Sequence, residues 1–148
     1  MASDTDNTQR KERIREQISN LQTRISELKE QKKELEKQIK DIEEFSSSFN
    51  SQFANCKSGF ESIGSDVSSI KYSSSSIDTS LSDLSSINNG IKNITSNTLS
   101  SMDSKKSSID QKIEKTKKDL KKEIDEIDKK IREIESQISD LRAQLNAL

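Results

Sequence analysis

The chain has 148 residues, a net charge of −1, 34% charged and only 28% hydrophobic residues, and neither proline nor histidine. A layered globular core usually draws on an apolar fraction of about 45–50%, so such a core cannot be filled, whereas a long helix or coiled coil can be built from this composition. The near-neutral charge gives no overall basic footprint for nucleic acid or anionic membrane, and a single cysteine cannot form an internal disulfide.

Residues 1–8 are small and polar and read as a disordered tail preceding one helical domain over 9–148. No apolar run follows the first charges, so no signal peptide is expected, and no stretch reaches the length of a membrane span. From Ile14 a strict alternation of four- and three-residue steps begins. It passes through Ile18, Leu21, Ile25, Leu28, Lys32, Leu35, Ile39, Ile42, Ser46, Phe49, Phe53, Cys56, Phe60, Ile63, Val67 and Ile70. That is a heptad seam, and it predicts one helical arm over 9–71. Serine is a mediocre helix former and Gly59 and Gly64 each cost about 1 kcal/mol in a helix interior, yet the period survives them.

The four serines Ser73–Ser76 compete for backbone hydrogen bonds and mark a turn at 72–76, with Ser75-Ser76-Ile77-Asp78 offering a capping box for a second helix. Asn88-Asn89-Gly90 is the rival turn. The second arm, 77–148, carries its seam through Ile77, Leu81, Leu84, Ile87, Ile91, Ile94, Thr98 and Met102. It continues through Ile109, Ile113, Thr116, Leu120, Ile124, Ile127, Ile131, Ile134, Ile138, Leu141, Leu145 and Leu148. The four-residue steps on both sides of Leu120 predict a local unwinding there. The fold class is therefore all-α, a long antiparallel helical hairpin of coiled-coil type. Folding about residues 75 and 76 would bring together residues whose numbers add up to roughly 150. Phe49 would meet Met102, Phe60 would meet Ile91, Val67 would meet Leu84, and Lys32 would lie opposite Thr116. A two-helix seam leaves its flanks wet, and ordering each residue costs about 1–2 kcal/mol, so a lone hairpin is marginal and gains from a further helical pair.

Catalytic chemistry has no foothold. Without histidine the commonest general base and metal ligand is gone, the carboxylates alternate with lysines as i,i+4 pairs, and the glycines are too far apart to cradle a phosphate. No enzyme activity, cofactor or metal is expected. Cys56 on the seam reads as a small buried core residue, with a disulfide-linked dimer as the other reading. The lysines between Lys105 and Lys122 are answered by Glu114, Asp119 and Glu123 without interleaved aromatics, so a nucleic-acid partner is not expected.

The compositional anomaly is the weakly charged middle, Phe45–Met102, which holds all four phenylalanines, the only tyrosine and the only cysteine. Phe49, Phe53 and Phe60 lie on the seam together with Met102, whereas Phe45, Tyr72 and Leu99 lie off it and widen the apolar stripe. These seven residues are the candidate partner-binding set, suited to docking a helix in the helix-in-groove manner.

A charged first helix, a less charged middle carrying the aromatics, a turn near the midpoint and a closing Lys/Glu/Ile coiled coil form a recognisable layout. In this the chain resembles the small helical partner proteins encoded beside LXG-domain toxins of type VII secretion, relatives of the WXG-like helical hairpins. The resemblance covers Glu12–Leu148 in shape. The superfamily's Trp-x-Gly turn is replaced, with Tyr72 the nearest aromatic and Ser74 standing at the glycine position, and no aromatic is followed four residues on by an acid. The resemblance implies a non-enzymatic targeting chaperone that binds the toxin's N-terminal LXG domain, with a second small helical protein as a further partner. It also implies a cytoplasmic location and export by a route independent of a signal peptide. A self-associating coiled-coil spacer or scaffold, with a homodimer as its unit, is the alternative.

Overall fold

The structure, a computed structural model, describes the backbone of residues 2–69 and 78–148 and the side chains of residues 6–67 and 84–148. It consists of two long helices, α1 (Ala2–Ser69) and α2 (Asp78–Ala147), packed antiparallel. α1 begins at Ala2 and so takes in the residues read from sequence as a tail, although Asp6–Arg10 are all exposed. The turn expected at 72–76 lies outside the described residues. Its rival does not: Asn88, Asn89 and Gly90 are in uninterrupted helix.

Three hydroxyls turn back onto their own helix. Thr23 Oγ1 donates to the Ser19 carbonyl at 3.1 Å, Ser26 Oγ to Gln22 at 3.2 Å and Ser104 Oγ to Ser100 at 3.1 Å. Each bond satisfies the hydroxyl within the helix instead of diverting the backbone into a turn. With no proline in the chain, nothing removes a helical donor.

Contacts group the residues into two units, one of Met1–Asp41 with Thr116–Leu148 and one of Ile42–Lys115. In the first, every described position of the expected seam is covered except Thr116, which is exposed while Lys117 is half-buried. Ile14, Leu28, Ile127, Ile131 and Ile138 are buried, and Leu28, Ile127 and Ile131 form a cluster with Ile25, Leu35 and Ile134 against it. Lys32, the polar interruption of the seam, points its ammonium at Asp128, 2.8 Å from both carboxylate oxygens. That hydrogen bond raises the Lys32 pKa above its ordinary value despite the opposing desolvation.

In the second unit the covered row of α1 is Ile42, Ser46, Phe49, Phe53, Lys57, Phe60, Gly64 and Val67, and that of α2 includes Asn88, Ile91, Thr95, Thr98, Met102, Lys106, Ile109 and Ile113. Two expectations are corrected here. Cys56, expected inside, is exposed, and Ile63, Leu84, Ile87 and Ile94, all assigned to the seam, are 41–67% exposed. The double four-residue step that displaces the row occurs at Phe53 in α1 and at Met102 in α2, with a further one at Ile113 in place of the one expected at Leu120.

The register also differs. In the first unit Lys32 faces Asp128, their numbers adding up to 160. In the second, Lys57 faces Asp103, also 160, while Phe53 meets Lys106 and Gly64 meets Thr95, both 159. The expected value near 150 is overturned, and with it the pairings of Phe49 with Met102, Phe60 with Ile91, Val67 with Leu84 and Lys32 with Thr116. An apolar seam of period 3.5 is satisfied almost equally by several registers, so the polar residues on it decide. In the observed register Lys32 reaches Asp128 and Lys57 reaches Asp103.

Candidate protein-interaction face

The candidate residues divide between the rim and the seam of the second unit. Phe45 is 57% exposed and stacks on Phe49 with ring centroids 5.9 Å apart and planes at 13°. Phe49 and Phe53 follow at 6.1 Å, tilted by 42°. These i,i+4 steps make a continuous aromatic ladder, and the Lys106 ammonium lies 5.8 Å from the Phe53 centroid, a cation–π contact that closes its inner end. Lys106 also pairs with Asp110 on its own helix. Phe60, Leu99 and Met102 are half-buried, and Tyr72 lies outside the described residues. The structure therefore joins Phe45, Phe49 and Phe53 into one feature, and the register brings Phe60 to the level of Leu99.

What sequence reasoning missed is a rotation. At four places the hairpin turns the less apolar of two adjacent residues inward: Lys57 rather than Cys56, Gly64 rather than Ile63, Asn88 rather than Ile87, and Thr95 rather than Ile94. At Lys57 a cause is visible and at Asn88 a cost. Lys57 Nζ reaches Asp103 at 3.0 Å, which raises its pKa through that hydrogen bond. Gly64 faces Thr95, 8% exposed, and a Cβ added there would make ordinary contact with the threonine methyl at 3.4 Å. Asn88 Oδ1 is buried with no hydrogen-bond partner among the described residues, a costly inward placement beside an outward isoleucine. The available signal was the second alternation in the same stretch, 53-57-60-64-67, which is as regular as the apolar one.

All four outward residues precede a covered position by one, and in two antiparallel helices the preceding positions of both lie on the same side. The first unit displays this rule. One cleft there is lined by Gln17, Asn20, Gln137, Asp140 and Gln144, each preceding a covered residue, over Leu21 and Leu141. The cleft on the other side is lined by following positions such as Gln22, Lys29, Glu135 and Arg142. In the second unit the same geometry gathers Phe45, Cys56 and Ile63 of α1 and Ile87 and Ile94 of α2 on one side. A hollow of about 410 Å³ on that side is lined by Ile94, Asn97, Thr98, Ser101, Met102 and Lys105.

Among the described residues no group of three or more Asp, Glu or Cys side chains is placed to hold a metal, and no helix is long and apolar enough to cross a membrane. No family model, curated protein or solved structure matches the chain.

Proposed function

We propose that the chain is a non-enzymatic helical adaptor that binds the N-terminal helical domain of an LXG-type secreted toxin and promotes its export. The observation that carries this reading is the one-sided exposure of Phe45, Ile63, Ile87 and Ile94 in the second unit, while Lys57, Gly64, Asn88 and Thr95 take the inward positions. A helix in a two-stranded coil needs only a narrow seam, whereas one in a larger bundle needs an apolar stripe wide enough for two neighbours. The second unit has the wide stripe. Exposed apolar surface rimmed by polar residues is the usual mark of a docking site, and the Phe45–Phe49–Phe53 ladder supplies large rigid area at low entropic cost. The layout resembling the LXG partner proteins supports the choice of partner.

Co-expression with the N-terminal domain of an LXG toxin followed by size-exclusion chromatography tests the reading. A stoichiometric complex is expected, weakened roughly tenfold or more by Phe45→Ser or Ile94→Glu, as for truncation of a buried interface anchor. Separate elution of the two proteins would overturn it.

A further inference from the structure

We propose that the same side of the second unit pairs with a second copy of this chain, forming a four-helix bundle in which α1 of each copy lies over α2 of the other. This inference does not depend on the toxin reading. Three observations select a second copy as the occupant.

The first is charge. From Phe45 to Ile63 on α1 and from Ile87 to Ser101 on α2, the positions on this side carry none. Beyond that range Asp66 and Lys105, the latter at the end of the hollow, are the charges on this side, one of each sign, and with a net charge of −1 per chain two copies do not repel appreciably.

The second is shape. Ile63, 51% exposed, stands on α1 at the level of Asn97 of α2, as the Gly64–Thr95 approach shows. Asn97 lines the 410 Å³ hollow, toward its Ile94 end. A two-fold axis along the hairpin keeps levels unchanged and exchanges α1 for α2, so Ile63 of each copy enters the hollow of the other. The face is its own complement, as an isologous interface requires. Gly59 and Gly90 lie on this side as well, and a Cβ added at either would meet nothing within 4 Å. The hairpin's own packing does not require these glycines, whereas a helix approaching closely from outside would.

The third is direction and area. With α1 over α2 of the other copy, every neighbouring pair of helices in the bundle is antiparallel, which aligns the helix dipoles favourably. The area to be covered is apolar: Phe45, Ile63, Ile87 and Ile94 on this side are 51–67% exposed.

The test is sedimentation equilibrium of the full chain at tens of micromolar, with far-UV circular dichroism as the folding control. The wild type is expected at twice the chain mass. Ile63→Glu alone, and Ile94→Lys alone, should weaken dimerisation roughly tenfold or more while leaving helix content unchanged, because both positions are exposed in the single chain. Mixing the two variants should restore a heterodimer, each new charge facing its opposite across the axis. Ser101→Trp, which fills the hollow, should dissociate the dimer without introducing charge. A wild-type monomer overturns the proposal, including one that takes up a different helical protein on this face. So does a dimer that survives Ile63→Glu and Ser101→Trp, or variants that do not recover when mixed.

Discussion

The two units are made from the same pair of helices, yet they solve the packing problem differently. In the unit of Met1–Asp41 and Thr116–Leu148, isoleucine and leucine recur on the seam with charged residues on either side, and five of them are buried. In the unit of Ile42–Lys115, Ile113 and Thr95 are the only buried residues among those described, and all five exposed large hydrophobics of the described chain are found there. A charged flank leaves an apolar seam only one way to face. A flank of Ser, Gly and Cys removes that constraint, so the helices can rotate toward the phase that gives Lys57 its carboxylate. The first unit buries most of the apolar core, and the second leaves large apolar side chains exposed.

Core truncation should break this contrast most strongly. Leu28→Ala, at a site 3% exposed, should cost about 2–5 kcal/mol in denaturant unfolding, whereas Ile63→Ala in the second unit should stay within about 0.5 kcal/mol at concentrations where the chain is monomeric. Equal losses would show that the second unit packs as tightly as the first.

A smaller effect of opposite sign is expected from the glycines. Gly59→Ala and Gly90→Ala should each stabilise the monomer by roughly 0.5–1 kcal/mol, since both are helical and open around the missing Cβ. If close approach of a second copy uses these sites, the same variants will weaken association while raising the monomer's melting temperature. Amide hydrogen exchange offers a direct map of the contrast: protection in α1 should be higher around Leu28 than around Gly59, because local opening is easier where few apolar contacts are buried.

The lysine pairs provide the smallest tests. The folded pKa of Lys32 and of Lys57 lies above the ordinary value of 10.5, raised by hydrogen bonds to Asp128 and Asp103. A group whose folded pKa is raised stabilises fully below its unfolded pKa and loses that contribution as pH climbs through the folded value. Melting temperature should therefore be insensitive to these lysines up to about pH 10 and fall above it, and Lys32→Met and Lys57→Met should each reduce the alkaline drop. Added salt should diminish the effect of Lys57→Met more than that of Lys32→Met, because Asp103 is 52% exposed and Asp128 36%.

The all-α class, the two arms and the heptad period were legible in the residues, since helical periodicity is local and no proline breaks it. The aromatic ladder was legible too, because Phe45, Phe49 and Phe53 are four residues apart on a continuous helix. Ile63, Ile87 and Ile94 were read as seam residues because apolar character outweighed the equally regular alternation beside it, and it points to the wrong neighbour wherever the right one is Gly, Asn or Thr. By itself, then, the sequence determined that two helices would form and which broad stripe of each would be apolar. Only the tertiary structure decided their register and rotation. Those depend on pairs distant in sequence, Lys32 with Asp128, Lys57 with Asp103 and Gly64 with Thr95, and a periodic seam satisfies several alignments about equally until such pairs choose one.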